Sequence, residues 1–391
     1  MQKTPKSLRL HIGIFGRRNV GKSSLLNALT RQQIALVSDF KGTTTDPIEK
    51  PMELLPLGPV VFIDTAGLDD EGDIGELRMM RTRAMYDKCD LALVVTDSDW
   101  CSHEKEIAAE LDKRQIPWIG VRNKCDNPEI EVLSDENIVC TSTVTGYGLE
   151  NLLQKIIQKA PEDFLGSMRI LGDFIGDDAH ILLVVPIDKE APKGRLIMPQ
   201  VQTIRDILDA HAVCTVCRED KVAATLAQFK TPPSLVVTDS QVFGTVNAQV
   251  PAEIQLTSFS VLFARFKGDL QTLAQGARQI SKLRAGDKVL IAEACTHHPI
   301  QDDIGTVKIP NWLHQKVDAG VQVEFCSGPE FPENLSQYAL IIHCGGCVWT
   351  RRQMLSRIHR AAAQNVPITN YGLAIAAMHG ILDRAMEPFD R

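Results

Sequence analysis

The segment LRLHIGIFGRRNVGKSSLLNALT at residues 8–30 decides the fold of the N-terminal part of this chain. Residues 8–15, LRLHIGIF, predict a β-strand, and residues 21–30 predict a helix. Between them, GRRNVGKS at 16–23 matches the pattern G-x-x-x-x-G-K-S in the strand-to-helix context that the pattern requires. In such a loop, backbone N–H groups surround the phosphates, and the helix N-terminus adds its dipole. The segment therefore predicts the phosphate-binding loop of an α/β nucleotide-binding domain.

The loop assigns chemistry to individual side chains. We expect Lys22 to reach the β- and γ-phosphates and Ser23 to place its hydroxyl on Mg²⁺. The residues predicted to bind nucleotide through this loop are Gly16, Arg17, Arg18, Asn19, Val20, Gly21, Lys22, Ser23 and Ser24.

Two further motifs concern the γ-phosphate. The D-x-x-G motif DTAG at 64–67 follows a predicted strand and offers the Asp64 carboxylate near magnesium and the Gly67 N–H at the γ-phosphate. GTTTD at 42–46 lies between the two phosphate motifs, where a switch loop supplies Thr44 to Mg²⁺ and the γ-phosphate. The predicted catalytic residues are Lys22, Thr44, Asp64 and Gly67.

Base recognition is predicted from two later segments. NKCD at 123–126 matches N-K-x-D after a strand, and the Asp126 carboxylate can accept hydrogen bonds from N1–H and the 2-amino group of guanine. Ser142 and Thr143 stand where a loop backs the purine. Asn123, Lys124, Asp126, Ser142 and Thr143 therefore complete a predicted guanine-nucleotide site.

The alternation of strands and helices along the chain predicts an α/β protein with parallel sheets. We expect three domains: a P-loop GTPase domain at 1–166, a small α/β dimerisation domain at 175–261, and a Rossmann-like α/β domain at 262–391. The third begins with a long helical pattern at 263–283.

Composition limits the class of protein. The 391 residues are 44% hydrophobic and 23% charged, which excludes a largely disordered chain. The net charge of −7 disfavours a nucleic-acid partner, and no apolar run is long enough for a membrane span. We expect a cytoplasmic protein with neither nucleic-acid nor membrane partner.

Cysteine and histidine spacing predicts a metal site in the third domain. The motifs are Cys295-x-His297 and His343-Cys344-x-x-Cys347; Cys295 directly follows a predicted strand at 288–294, and Cys344 directly follows one at 338–343. Because carboxyl ends of strands form the binding crevices of open α/β sheets, these residues are expected to converge. The spacing leaves an iron–sulfur cluster and a zinc ion both open. Cys214-x-x-Cys217 has no companion ligand and could form a redox pair or a structural one.

The nucleotide motifs resemble those of the TrmE–Era–EngA group of GTPases. Leu68 follows the D-x-x-G motif, where Ras-type enzymes carry a water-orienting Gln, and Asn19 matches a residue that coordinates a monovalent cation in the group. The resemblance implies hydrolysis of GTP to GDP and phosphate that K⁺ stimulates.

The joint pattern of these motifs, the middle unit, C-x-H…H-C-x-x-C and VPITNYGLAIAAMHGIL at 366–382 resembles the HydF family of FeFe-hydrogenase maturation GTPases. The resemblance implies a 4Fe-4S cluster on Cys295, Cys344 and Cys347, with His343 and His297 as further candidate ligands.

It also implies a homodimeric scaffold that receives a diiron H-cluster precursor made with the radical-SAM maturases HydE and HydG, and delivers it to apo FeFe hydrogenase HydA. The alternative is an RNA- or ribosome-associated GTPase with a structural zinc domain.

Overall fold

The computed structural model describes residues 5–30, 48–64, 84–126, 137–161, 164, 169–187, 196–294, 303–328 and 331–390. The chain divides into two compact units, residues 1–167 and 168–391. Four predicted site residues lie outside the described residues: Thr44, Gly67, Cys295 and His297.

The first unit contains an α/β sheet. Its described strands are β1 (Leu10–Phe15), β2 (Ile48–Leu54), β3 (Gly58–Asp64), β4 (Leu91–Thr96), β5 (Trp118–Arg122) and β6 (Ile138–Cys140). They are ordered β2-β3-β1-β4-β5-β6. The helices with described bounds are α1 (Lys22–Thr30), α2 (Ser102–Lys113) and α3 (Leu149–Lys159).

The core of this sheet explains why its central strands are mostly apolar. Every residue of β1 and β4 is buried, as expected for parallel strands covered on both faces. Ile12 and Ile14 pack in the same apolar cluster as Leu25 of α1, whereas Phe15 belongs to a second cluster with Ile63.

Strand β2 was not predicted from the sequence. It pairs antiparallel with β3 at the edge of the sheet, with Pro51 opposite Val61. A proline lacks the N–H donor of a sheet ladder and is confined to edge strands. The segment IEKPMEL therefore gives no clear strand signal in the sequence, and it forms a strand because it pairs with β3.

The second unit contains two sheets with parallel pairing throughout the described ladders. One has the order β10-β9-β7-β8 and the other β12-β11-β13-β14. The strands are β7 (His180–Val184), β8 (Val213–Cys217), β9 (Leu235–Thr238), β10 (Gln255–Ser258), β11 (Lys288–Glu293), β12 (Gln322–Ser327), β13 (Leu340–His343) and β14 (Ile368–Asn370).

Helices connect the strands of this unit. They are α4 (Met198–Asp209), α5 (Val222–Leu226), α6 (Phe243–Asn247), α7 (Phe259–Lys267), α8 (Leu270–Arg278), α9 (Ile309–Lys316), α10 (Arg351–Ala362), α11 (Tyr371–Met378) and α12 (Leu382–Met386). The α/β fold class is therefore confirmed in both units. No helix among the described residues is long and apolar enough to span a membrane.

The two sheets of the second unit share an apolar core. One cluster of buried side chains contains Leu182 and Val236 from the first sheet and Leu290 and Ile341 from the second. The division of this unit into domains at 175–261 and 262–391 stays a prediction, because this core is continuous across it.

The single long helix predicted at 263–283 is wrong. The chain forms α7 and α8 instead, with Gly268 in extended conformation between them. The Asp269 carboxylate accepts a hydrogen bond from the Thr272 N–H at 2.9 Å and so caps the second helix. The Gly-Asp pair therefore ends one helix and begins the next, although apolar spacing continues through it.

Candidate nucleotide site and cysteine loop

The phosphate-binding loop connects β1 to α1, as predicted. Gly16 has φ of +141°, and a Cβ at this position would lie 2.1 Å from the Val95 carbonyl oxygen, so the loop requires glycine here. Lys22 is buried, and its Nζ donates to the carbonyls of Gly16 and Arg17, the latter at 2.8 Å. The ammonium group thus lies within the curve of the loop.

The structure brings together Ser23, predicted to bind Mg²⁺ directly, and Asp64, predicted to lie near the ion. The Ser23 hydroxyl donates to Oδ2 of Asp64 at 2.6 Å. Asp64 ends β3 beside β1, where it pairs with Ile14, so the parallel register places it next to the loop. A hydroxyl and a carboxylate in contact are oxygen donors of the kind that Mg²⁺ prefers.

A cavity of about 440 Å³ lies at the predicted base site, lined by Asp126, Thr145, Gly146 and Tyr147. The buried Ser142 hydroxyl donates to Oδ1 of Asp126 at 2.5 Å and accepts from the Thr145 N–H at 3.0 Å. Ser142 therefore orients the carboxylate that is predicted to read guanine. Thr145 and Tyr147 were not predicted as site residues, although both lie within five positions of Ser142 and Thr143 in the sequence.

Asn123 and Lys124 connect the base motif to the phosphate loop. Nδ2 of Asn123 donates to the Val20 carbonyl at 3.0 Å, and Nζ of Lys124 donates to the Asn19 carbonyl at 2.8 Å. Lys124 also binds Oδ2 of Asp97 at 2.7 Å and thereby lowers the pKa of that carboxyl. Asp97 directly follows β4, a strand-end position from which the sequence could have predicted it.

The Arg17 side chain in the phosphate loop is anchored by a buried carboxylate that sequence analysis missed. Its Nε donates to Oε1 of Glu104 at 2.7 Å, and the Glu104 side chain is fully buried. Burial alone raises the pKa of this carboxyl, but hydrogen bonds from Cys101 and Arg17 lower it below its usual value overall. Glu104 is therefore a charged anchor that fixes the first turn of the phosphate loop to α2.

At the predicted metal site, β11 and β13 are adjacent and parallel, with Ala292 opposite His343. The Ala294 N–H donates to Sγ of Cys344 at 3.0 Å, and the Cys344 N–H donates to the Ala292 carbonyl at 2.8 Å. Ala294, the last described residue before Cys295 in the sequence, therefore lies beside Cys344. Within the described ranges, which exclude Cys295 and His297, no three His, Cys, Asp or Glu residues are placed to hold a metal ion.

His343 does not fit the predicted role of an iron ligand. Its Nδ1–H donates to the Cys344 carbonyl at 2.7 Å, and its Nε2 accepts from Arg357 at 2.8 Å, since a guanidinium has no acceptor. Arg357 itself stacks on the rings of Trp349 and Phe331. Burial, and then the Arg357 charge, lower the pKa of His343 to about 3. The imidazole is neutral and uses both nitrogens to hold the loop.

Lys267 braces the loop that carries the C-x-x-C motif. Its side chain is 2% exposed, and Nζ donates to the carbonyls of Gly346 at 3.0 Å, Cys347 at 2.8 Å and Trp349 at 2.8 Å. Burial lowers the pKa of Lys267 to about 8, whereas the Cys347 and Cys344 thiols raise it. A cation, a backbone N–H donor and two thiols are the environment that an anionic thiolate–metal group requires.

Cys214 and Cys217 do not form a redox pair in this structure. They are separated by three positions on β8 and pack into different apolar clusters on the two faces of the sheet. Burial raises the pKa of both thiols. These cysteines are packing residues.

Comparisons with known proteins match three successive segments of the chain to family models. Residues 11–124 match a family model described as 50S ribosome-binding GTPase. Residues 170–268 match the hydrogen maturase F dimerization domain, and residues 271–388 match the hydrogen maturase F tetramerization domain.

Individual relatives cover the GTPase part. The tRNA modification GTPase MnmE of Xanthomonas euvesicatoria pv. vesicatoria is 39% identical over 176 residues, which are 44% of this chain and 38% of that protein. MnmE of Aquifex aeolicus is 34% identical over 174 residues, 43% of this chain and 39% of that protein. The chain thus spans under two fifths of the length of these relatives.

Among solved structures, Aquifex aeolicus Era bound to GDP.AlF4- matches 39% of this chain and 56% of that chain at 25% identity and a TM-score of 0.34. The G domain of the T. maritima FeoB iron transporter matches 39% of this chain and 98% of that chain at 27% identity and a TM-score of 0.31.

The matches to a GTPase model and to both hydrogen maturase F models follow one another along the chain. The first unit is accordingly a GTPase domain that binds GTP or GDP with Mg²⁺. The chain belongs to the hydrogen maturase F family of GTPases.

Proposed function

We propose that the protein is a K⁺-stimulated GTPase scaffold that carries a 4Fe-4S cluster on Cys295, Cys344 and Cys347 during assembly of the FeFe-hydrogenase active site. The observation that carries this proposal is the hydrogen bond from the Ala294 N–H to Sγ of Cys344. It supports the proposal because Ala294, which directly precedes Cys295 in the sequence, contacts Cys344 of the C-x-x-C motif. The other unit of the chain is a GTPase domain.

In the GTPase domain, the described residues divide the work of hydrolysis. Lys22 balances charge on the β- and γ-phosphates, while Ser23 would bind Mg²⁺ and Asp64 would orient the groups around the ion through its hydrogen bond to Ser23. Asp126, oriented by Ser142, selects guanine. Thr44 and Gly67 are proposed to complete the γ-phosphate site, and the Asn19 side chain to bind K⁺.

In the second unit, three thiolates would hold the cluster. A 4Fe-4S cluster with three cysteine ligands offers one iron for an external ligand when it is bound. Cys347 is exposed, so the site opens to the protein surface, where a partner can reach it. The cargo is the diiron precursor supplied with HydE and HydG, and the recipient is apo FeFe hydrogenase HydA.

The homodimer is proposed to form through β8. This strand lies at the edge of its sheet. Val213 and Val216 point to opposite faces and are 56% and 46% exposed, so neither face is fully covered. An exposed edge with apolar side chains is a template for pairing with another strand, and a two-fold axis lets the same edge pair with itself.

The decisive experiment measures iron, sulfide and zinc per chain after anaerobic reconstitution, with EPR of the reduced protein. We expect iron and sulfide in the wild type, strong loss in Cys344→Ser and Cys347→Ser, and no loss in the matched control Cys214→Ser. Each variant should keep its GTPase activity, because the changes lie outside the GTPase domain.

Activation of apo hydrogenase should fall together with cluster content. Full iron incorporation in the Cys344→Ser/Cys347→Ser double variant would contradict the cluster assignment. Zinc in place of iron in the wild type would favour a ribosome-associated GTPase with a structural zinc domain.

A further inference from the structure

Lys267 is a buried cation to which the described part of the chain offers no carboxylate partner. Its side chain is 2% exposed, and its three hydrogen bonds all go to backbone carbonyls of residues 346–349. Among the residues that the structure describes, no carboxylate forms an ion pair with it. The titratable groups that act on it there are the thiols of Cys347 and Cys344.

Such an arrangement is costly for a protein that has no anion to place there. Carbonyl oxygens solvate an ammonium group, but they carry no net charge, and an uncompensated buried ion is strongly unfavourable. Three cysteine thiolates, in contrast, more than balance the positive charge of an oxidised 4Fe-4S core, so the assembled group is an anion.

We propose that Lys267 is the positioning residue and internal counter-charge of the cluster, an inference that rests on the proposed cluster site. Its ammonium group clamps three carbonyls of the C-x-x-C loop. The same charge stabilises the cluster, and stabilises the more negative reduced cluster most.

The position of Lys267 gives the clamp a rigid base. It is the last residue of α7, and Arg265 of that helix binds the carbonyls of Arg169 and Ile170 at 3.1 and 3.2 Å. The hydrogen maturase F dimerization model ends at residue 268, directly after α7. The cysteine loop is therefore tied to the segment that precedes its own domain.

Two variants separate the charge from the clamp. Lys267→Gln keeps a donor for the loop carbonyls and removes the charge, whereas Lys267→Met removes both. Lys282→Met is the matched control, because Lys282 is exposed on the same unit.

We expect Lys267→Gln to bind iron and to show a reduction potential more negative than that of the wild type, measured by EPR-monitored titration. Lys267→Met should in addition lose iron to a chelator about tenfold faster or more. The control should match the wild type in both measurements.

The stability of the full-length protein without iron gives an independent test of the buried charge. Without the cluster, the buried charge is uncompensated, so Lys267→Gln, which keeps a donor for the loop carbonyls, should be at least as stable to urea as the wild type. With the cluster, it should be less stable.

The outcomes distinguish the inference from the function on which it rests. A wild type without iron would refute the proposed cluster. An iron-loaded wild type with unchanged potential and iron retention in Lys267→Gln and Lys267→Met would refute the role of Lys267 alone. Failure of both variants to fold without iron would show a purely structural lysine and also overturn the inference.

Discussion

Replacement of Asp126 by Asn tests base recognition at its most defined contact. The carboxylate lines the cavity at the base site, and Ser142 donates to its Oδ1 at 2.5 Å. This bond directs the carboxylate, whose remaining acceptor capacity can take N1–H and the 2-amino group of guanine. Asparagine replaces one acceptor oxygen by a donor NH₂ and therefore faces a guanine N–H with an N–H of its own.

The structure sets the size of the effect. A hydrogen bond to a charged group contributes about 1.5–3 kcal/mol. Because Asp126 is exposed on its outer side, we take the lower value for each of the two bonds. The loss of about 3 kcal/mol raises the Kd for GTP roughly 100-fold, since about 1.4 kcal/mol corresponds to tenfold. Ser142→Ala removes only the orienting bond and should cost about tenfold.

The assay is titration of purified protein with fluorescent GTP, GDP and xanthosine triphosphate. Asp126→Asn should bind xanthosine triphosphate better than GTP, because the second carbonyl of xanthine accepts from the new NH₂ group. Asp99→Asn is the control, since that carboxylate is 92% exposed and pairs with Arg122 at 3.5 Å. Equal GTP affinity in Asp126→Asn and the control, or wild-type binding of ATP as tight as GTP, would refute the assignment.

Four further predictions follow from described contacts. Glu104→Gln should lower the free energy of unfolding of the GTPase domain by about 1–2 kcal/mol at neutral pH, measured by urea denaturation, because the bond to Arg17 loses its charge. Since the pKa of Glu104 is lowered on folding, its contribution is present above the unfolded value of about 4.3 and is lost as pH falls through the folded value, so variant and wild type should converge in acid. Asn19→Gly, which keeps the φ of +63° without strain, should remove the preference of GTP hydrolysis for K⁺ over Na⁺. Val216→Lys should convert a dimer to monomers in light scattering, because it places like charges along the paired edge. His343→Ala should leave the EPR spectrum of the cluster unchanged while it destabilises the loop by about 1–3 kcal/mol, since Arg357 loses its acceptor.

Each of these has an outcome that contradicts it. A constant difference between Glu104→Gln and the wild type from pH 7 to pH 3 would show that the carboxylate charge is not involved. Equal wild-type rates in K⁺ and Na⁺ would remove the role of Asn19. A dimer that persists in Val216→Lys, with Leu55→Lys as the exposed control, would exclude β8 as the interface. A changed EPR spectrum in His343→Ala would make the histidine an iron ligand after all.

The sequence by itself determined the features that lie within a few consecutive residues. GRRNVGKS, DTAG and NKCD are contiguous, and each is recognised from its own letters and from the strand before it. The position of Cys344 at the carboxyl end of a strand could also be predicted from the sequence. Parallel strands all end at the same edge of their sheet. These features can be predicted because they depend only on local sequence periodicity and on the right-handed connection of βαβ units.

Only the tertiary structure decided which side chains complete these sites. Glu104 binds Arg17, which is 87 positions away in the sequence, and Lys267 binds the carbonyl of Cys347, which is 80 positions away. At such separations the apolar periodicity of the sequence does not indicate which residues pair. His343 stood in sequence as a candidate ligand beside Cys344, and Arg357, one helix away, occupies its second nitrogen. Local spacing shows which chemistry a segment can offer, but burial and long-range partners decide which donor or acceptor remains available for it.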